Sequence, residues 1–464
     1  MGCQNSNATA PSPGIAPAIP ASTDPAGGTP DGRAIDPRRV AEDLSTTHGA
    51  GGMDPRVRAV CPDFDAPFFQ AGLAGYSDAA MRIVARRHGC PYCVTEALLD
   101  QTLLGGGRGF VKADLGDLAD NVPGGDEDLP LAGQIMGSEP AEMAAAAIKM
   151  IEQGARRPKE YRRLVERGRD GETEKRRDEV SRSEGVADDP ELSVSSSLDL
   201  SVSSSQRTFS TIDINLACPV KKISKKARGG HWLSEPTGAI RILEAVREAV
   251  PAAIPVTVKL RRSFDDTDEM RENFYRLFDA AYDIGCAWVC VHGRTVRQKY
   301  VGPSRWDLLR EIATRTHPGT HRERVIFGSG DIWEAGDVFR MIAYTGVQGV
   351  SVARGCIGNP WIFRQCRDLL AGREPAPPTV AEQRSVLEQH FELALAVNER
   401  MVRGVGEARL KRAENFTGKT MRKFGIRFAA HHPRNNEVKQ RFVAVETLED
   451  WRGVLDEFYP PTER

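Results

Sequence analysis

No apolar stretch of this 464-residue chain approaches the roughly 18 residues that a membrane-crossing helix needs, so a membrane protein is not expected. Charge of either sign is also lacking in the aggregate. Lys and Arg number 63 against 64 Asp and Glu, so whole-chain charge gives no hint of a nucleic-acid partner and only its distribution can. A charged and then apolar leader is missing, which predicts that the chain is not secreted. The nine cysteines lack the regular spacing of a disulfide framework, which points to a reducing, cytoplasmic setting. Cys90-Pro-Tyr-Cys93 is a lone CxxC without a second ligand pair, and its neighbours read as a strand. It is expected to be a buried pair, and no metal is expected. Finally, no Gly-x-Gly-x-x-Gly follows the first apolar run, which argues against an open dinucleotide-binding sheet.

What is present begins with a low-complexity leader. Residues 1–55 are rich in Ala, Pro, Gly, Ser and Thr, with few large apolar groups, and are expected to be disordered. Met1-Gly2-Cys3-Gln4-Asn5-Ser6 fits an N-myristoylation pattern with Cys3 available for a second acyl chain, although the remainder reads as a soluble enzyme.

From residue 56 onward, short β-branched runs alternate with amphipathic helical stretches. The runs cover 67–73, 92–97, 131–136, 211–217, 255–260, 288–292, 324–327 and 349–353, with helices expected at 79–88, 140–153, 237–250, 269–284, 306–315 and 334–344. Strand and helix in alternation imply right-handed βαβ units on a parallel sheet, and eight such strands imply a closed (β/α)8 TIM barrel over 56–375. One connection breaks the rhythm. Residues 155–207 are a charged segment followed by two Leu-Ser-Val-Ser-Ser-Ser repeats, read as a low-complexity insertion, which loop-closure entropy tolerates. Residues 376–464 change character again, to an α/α pattern. Helices are expected at 380–400, 407–416, 419–423 and 447–458, so the barrel carries a C-terminal all-helical domain. Its middle is basic, with Arg403, Arg409, Lys411, Arg412, Lys419, Arg422, Lys423, Arg427, Arg434 and Lys439. A solvated helix face accounts for such a cluster in isolation; a phosphate-binding surface is the other reading.

In a parallel α/β protein, chemistry gathers at the C-terminal ends of strands. Gln134 falls at the third strand end, Asn215 and Cys218 at the fourth, Lys259 at the fifth, and His292-Gly293-Arg294 at the sixth. Gly328-Ser329-Gly330-Asp331 and Ala353-Arg354-Gly355 follow the seventh and eighth strands, where glycine turns form the phosphate cradle of this fold through backbone N–H groups. The fourth strand is the most informative. Ile212, Ile214 and Leu216 alternate with Asp213 and Asn215, and Cys218-Pro219 ends the run because proline cannot continue a ladder.

The run Thr211-Ile-Asp-Ile-Asn-Leu-Ala-Cys-Pro219, with the basic loop after it, resembles the signature of the tRNA-dihydrouridine synthases, flavoenzymes that reduce a uridine in tRNA. Ala217 stands where the family usually has glycine, Ala227-Arg-Gly229 where it tends to have Gly-x-Gly, and Ser329 where many members have Asn. Ala71-Gly-Leu-Ala-Gly-Tyr-Ser-Asp78 is similar to the family's first flavin-contacting segment. The resemblance implies FMN as cofactor and NADPH as reductant. It places Gln134, Lys259 and His292 against the flavin ring, and Gly330, Asp331, Arg354 and Gly355 around its phosphate. It further implies Asn215 and Arg294 as substrate contacts, Cys218 as proton donor, and tRNA as the partner, with no protein partner implied.

The residue types suit that reaction. Reducing the uracil C5=C6 bond needs a hydride at C6, from reduced flavin, and a proton at C5. A thiol with an ordinary pKa near ~8.5 is protonated at neutral pH, as a proton donor must be. Two other readings stand beside this one. A flavin barrel acting on a free small molecule, such as a pyrimidine, would share the phosphate cradle and Lys259 without needing a basic tail. A tRNA-binding protein that has lost catalysis would keep the tail and lose the flavin.

Overall fold

The computed structural model describes residues 35–105, 125–152, 209–220, 223, 226–315, 324–402 and 404–460. The expected insertion at 155–207, the segment 1–34 with its acylation pattern, and Arg403 lie outside the described residues.

Among the described residues nine parallel strands form the sheet: β1 (Phe68–Gln70), β2 (Cys93–Val94), β3 (Leu98–Leu99), β4 (Leu131–Met136), β5 (Thr211–Asn215), β6 (Val256–Arg261), β7 (Trp288–His292), β8 (Ile326–Ser329) and β9 (Gly349–Val352). β1 pairs with both β9 and β2, and β2 pairs with β4, so the ring closes on itself as a (β/α)8 barrel. β2 and β3 are two halves of one barrel strand, both paired with β4. Between them Thr95, Glu96 and Ala97 oppose only Gly133 and Gln134, a one-residue bulge. The Thr95 hydroxyl accepts the Gln134 backbone N–H at 3.0 Å, so the bulge leaves that donor satisfied.

Alternation along the strands sorts side chains between two cores. Ile212, Ile214, Val256, Val258 and Leu260 face outward into the helix layer. Phe69, Tyr92, Val94, Ala132, Trp288 and Phe327 fill the lower interior. Phe64 stacks on Tyr92 with ring centroids 4.5 Å apart, and Trp288 lies 5.3 Å from Phe327. Met53, Val57, Cys61 and Phe64 belong to the same interior cluster, so the segment before β1 closes the lower end of the barrel.

Part of the stretch expected to be disordered up to residue 55 is therefore structured. Helix α1 (Pro37–His48) starts on an Asp36 cap and a proline in its first turn, and Ser45 Oγ donates to Leu370 O at 2.8 Å. Its apolar stripe is only Val40, Ala41 and Leu44, which is why composition hid it; packing against the last barrel helices supplies the rest. The short helix α2 (Pro55–Val60) follows, capped by Asp54. Cys90 and Cys93 are buried and form no disulfide; the Cys93 thiol donates to Cys90 Sγ at 3.8 Å. Among the described residues no helix is long and apolar enough to cross a membrane.

The tail holds four α-helices, Val380–Met401, Gly406–Phe428, Asn435–Val443 and Leu448–Phe458. The two short helices expected at 407–416 and 419–423 are one. Thr417 is satisfied inside it by donating to Ala413 O at 2.8 Å, and Gly418 is small because a Cβ there would sit 2.8 Å from Thr447 O. The tail is packed onto the barrel. Tyr76, in the loop after β1, meets Phe424 edge-on at 5.6 Å, and Trp361 meets Phe428 at 5.5 Å. Gly358 has a φ of 68° and a Cβ there would lie 2.6 Å from Arg427 Cβ, so glycine permits the close approach.

Candidate active site

The interior of the barrel turns polar above its aromatic floor. Thr211, Asp213 and Asn215 point inward from β5, Thr257, Lys259 and Arg261 from β6, and Cys290 and His292 from β7, each set at the period of two that strands impose. Gln134 and Lys259 do not end their strands. β4 runs on to Met136 and β6 to Arg261, so both side chains sit a layer below the rim.

A chain of hydrogen bonds crosses the interior. The Thr257 hydroxyl donates to Asp213 Oδ1 at 2.6 Å, and Gln134 Nε2 donates to Asp213 Oδ2 at 2.7 Å. Asn215 Nδ2 donates to Gln134 Oε1 at 2.8 Å, and the Ala217 backbone N–H donates to Asn215 Oδ1 at 3.0 Å. Asp213 is 7% exposed and burial pushes its carboxyl up, opposed by the Thr257 and Gln134 hydrogen bonds and by the Lys259 charge. Lys259 Nζ itself lies 3.5 Å from Cys290 Sγ.

The Cys218 loop is held from two sides. Gly230 N–H donates to Cys218 O at 3.0 Å, and Arg261 Nε donates to Ala217 O at 2.9 Å. A Cβ on Gly229, which has a φ of 57°, would lie 2.8 Å from Cys218 Cβ, so the basic loop folds directly against the cysteine. Burial pushes the Cys218 thiol up, with smaller opposing effects from the Val220 backbone N–H and from Arg261.

A second cluster surrounds His292. Burial holds its pKa well below the ordinary range, and the charges of Arg261, Lys259, Arg294 and Arg354 push the same way. Arg294 N–H donates to His292 Nδ1 at 3.2 Å, which leaves the ring neutral with its proton on Nε2. The Arg294 guanidinium binds Gly302 O and both oxygens of Asp331, while its Nη1, though buried, has no partner. Asp331 also accepts Ser304 N–H at 2.8 Å and contacts Arg354 at 3.3 Å. Arg354 lies between two rings, 4.8 Å from Trp333 and 5.0 Å from Tyr300. Gly330 has a φ of 114° and a Cβ there would crowd Ser304 and come within 3.1 Å of His292 Cε1; a Cβ on Gly355 would strike Ile332 O.

Each residue singled out from the sequence thus lies on this rim or just beneath it, in two groups: Gln134, Asn215, Cys218 and Lys259 on one side, and His292, Arg294, Gly330, Asp331, Arg354 and Gly355 on the other. Arg261 joins them, because it donates to Ala217 O and also to Thr295 O at 2.8 Å in the loop after β7. Neither it nor Asp213 nor Thr257 was singled out, although the inward period of two along Thr257-Val-Lys-Leu-Arg261 was there to be read. The tail's basic residues divide. Arg409 donates to Glu399 O and Val402 O, Arg434 pairs with Glu437, and Lys423 lies 4.8 Å over the Tyr76 ring and bonds Gly75 O. Lys411 and Arg412 are exposed.

Fold and site together define a parallel (β/α)8 barrel with an amide-lined, cationic mouth and a helical tail packed beside it. Residues 200–445 match the family described as Dihydrouridine synthase (Dus), which is more than half of the chain, and the chain belongs to that family. It is 32% identical over 254 residues to the probable tRNA-dihydrouridine synthase of Treponema pallidum, covering 54% of this chain and 69% of that protein. Over 190 residues it is 35% identical to the probable tRNA-dihydrouridine synthase of Mycobacterium leprae, covering 40% of this chain and 47% of that protein. With tRNA-dihydrouridine synthase B of Shewanella oneidensis it shares 35% identity over 181 residues, 39% of this chain and 53% of that protein. The chain thus spans about half the length of several curated relatives that it matches.

Proposed function

We propose that this chain reduces uridines in tRNA to 5,6-dihydrouridine, using FMN with NADPH as its reductant, in the cytoplasm. The observation that carries the reading is the meeting of two features at one rim: a loop cysteine held protonated, and four cationic side chains around a neutral His292. Such a mouth suits an anionic cofactor and a reaction in which charge builds on a uracil carbonyl.

The residues fit a flavin phosphate. Gly330 and Gly355 leave the backbone approachable where any Cβ would crowd a neighbour. Arg354 has a single 3.3 Å polar contact through its guanidinium among the described residues, which leaves most of its donors for a ligand. On the substrate side, Arg294 Nη1 is a buried donor without an acceptor among the described residues. The Asp331 carboxylate would hold these two arginines in place, while Gln134, Lys259 and His292 would line the ring. Bound there, FMN would supply the hydride for C6. Cys218 would give the proton to C5, and its upward-shifted pKa keeps the thiol loaded at neutral pH. Asn215 would present its amide to the uracil edge, and Arg294 would stabilise the developing charge. A uridine inside folded tRNA must leave its stack to reach this rim. We assign the grip on tRNA phosphates to the tail, residues 376–464, where Lys411 and Arg412 are exposed.

The test is dihydrouridine formation on unmodified tRNA with NADPH, wild type against Cys218→Ala, alongside the visible spectrum of the purified protein. A yellow wild type that makes dihydrouridine, with the variant reduced by roughly 10²-fold or more as loss of a general acid predicts, supports the reading. A yellow protein that oxidises NADPH and leaves every uridine intact points to a free small molecule. A colourless protein that binds tRNA points to a binding module.

A further inference from the structure

We infer that Asp213 is a positioning residue: its carboxylate fixes which way the amides of Gln134 and Asn215 face, and through them it pins the loop that carries Cys218. The inference deepens the proposed reaction, since it rests on the reading of Cys218 as proton donor.

An amide side chain can face either way, because its oxygen and nitrogen have nearly the same shape and opposite hydrogen-bonding sense. Something must break that symmetry. An ionised carboxylate does so, because it only accepts. Thr257 and Gln134 both donate to Asp213, at 2.6 and 2.7 Å, so Gln134 must turn its NH2 towards the carboxylate and its oxygen away. That oxygen can be satisfied only by a donor, and Asn215 Nδ2 takes the place at 2.8 Å. Asn215 is then obliged to turn its own oxygen outward, where it receives the Ala217 N–H at 3.0 Å, one residue before Cys218. Three bonds thus run in one sense from the buried Asp213 carboxyl to the reactive loop. Its two direct hydrogen-bond donors, Thr257 and Gln134, are neutral, and the Lys259 charge acts on it without a direct bond. A stability-driven barrel would place an apolar side chain here, as it does in the layer below with Ala132, Trp288 and Phe327.

Asp213→Asn is nearly isosteric but offers both a donor and an acceptor, so Gln134 and Asn215 lose their enforced sense and Ala217 N–H loses its steady partner. The measurement is the rate of Cys218 alkylation by iodoacetamide at fixed pH, followed on the Cys218 peptide by mass spectrometry in the full-length protein. Asp213→Asn and Asn215→Ala are each expected to raise the rate about five-fold, as the loss of one neutral hydrogen bond predicts. The double variant should be no faster than Asn215→Ala alone, because both act through one chain. Wild-type reactivity in a folded Asp213→Asn, or rates that multiply in the double variant, would overturn the inference. If Asp213→Asn does not fold, Gln134→Met, which cuts the relay between Asp213 and Asn215, replaces it in the same cycle and must shift the rate in the same direction; an unchanged rate overturns the inference there too. In the enzymatic assay Asp213→Asn should lower kcat with KM for tRNA little changed. A wild type that makes no dihydrouridine sinks the proposed reaction while the alkylation cycle still reads the positioning, so the two can fail separately.

Discussion

Asp331 and Arg294 form an ion pair at 2.6 Å in which the guanidinium side chain is 4% exposed. The two residues come from the loops after β8 and β7, so the pair fixes one strand end against the next. Removing one member of a buried pair strands the other. Asp331→Ala is expected to destabilise the protein by roughly 3–5 kcal/mol, and Asp331→Asn by less, since its amide oxygen can still accept. Urea titrations of the two variants check the order; equal midpoints for Asp331→Ala and wild type would refute it.

The thiol of Cys218 is pushed up by burial, so it keeps its proton into more alkaline solution than an ordinary cysteine does. A proton donor is active while protonated, so the rate should fall as pH rises through this pKa. The alkaline limb of the pH–rate profile is therefore expected above the range of a free thiol. A limb at or below that range would contradict the assignment.

Ala227 has a φ of 49°, in the left-handed region that an L side chain enters at a cost of roughly 1–2 kcal/mol. Ala227→Gly removes that strain and gives back part of the gain as chain entropy. A net stabilisation of about 0.5–1 kcal/mol is expected by chemical denaturation. Destabilisation would mean that the methyl group's packing outweighs the strain.

His390 is buried against Phe424 at 4.4 Å with neither ring nitrogen partnered, and burial, aided by the Lys423 charge, pushes its pKa down to about 3. Below the unfolded value near ~6.5, the unfolded chain binds a proton that the folded one refuses. Stability from this group is therefore complete above pH ~6.5 and falls by up to about 1.4 kcal/mol per pH unit towards acid. His390→Phe should flatten that limb between pH ~6.5 and the folded value. An unchanged slope in acid unfolding would refute it.

If the tail grips tRNA through Lys411 and Arg412, replacing both by Ala should weaken binding on every tRNA alike. The slope of log affinity against log salt should fall by up to about two. Deleting the tail would be a poorer experiment, because Phe424, Phe428 and Leu387 belong to the barrel's own outer core.

Much of the architecture was legible because strands announce themselves by short β-branched runs. The rim residues were legible because Asn215, Cys218 and His292 interrupt such runs with polarity. Depth was not. Gln134 and Lys259 read as strand ends because nothing local distinguishes a polar residue at the rim from one a layer below; only the pairing register does. Asp213 was passed over as the polar half of an alternation, whereas its partners Gln134 and Thr257 are 79 and 44 residues away in the chain. Helix α1 escaped because its stability is tertiary, and the break read at Thr417-Gly418 was a packing requirement imposed by Thr447.

The aromatic floor of Phe64, Tyr92, Trp288 and Phe327, with Met53 and Val57 beneath it, closes the lower end of the barrel among the described residues. Whatever enters must leave by the same opening. If the reactants are the nicotinamide dinucleotide and tRNA of the proposed reaction, they cannot queue from opposite ends and must take turns at the rim. The order of events would then be set by a plug of hydrophobic side chains at the far end from the chemistry.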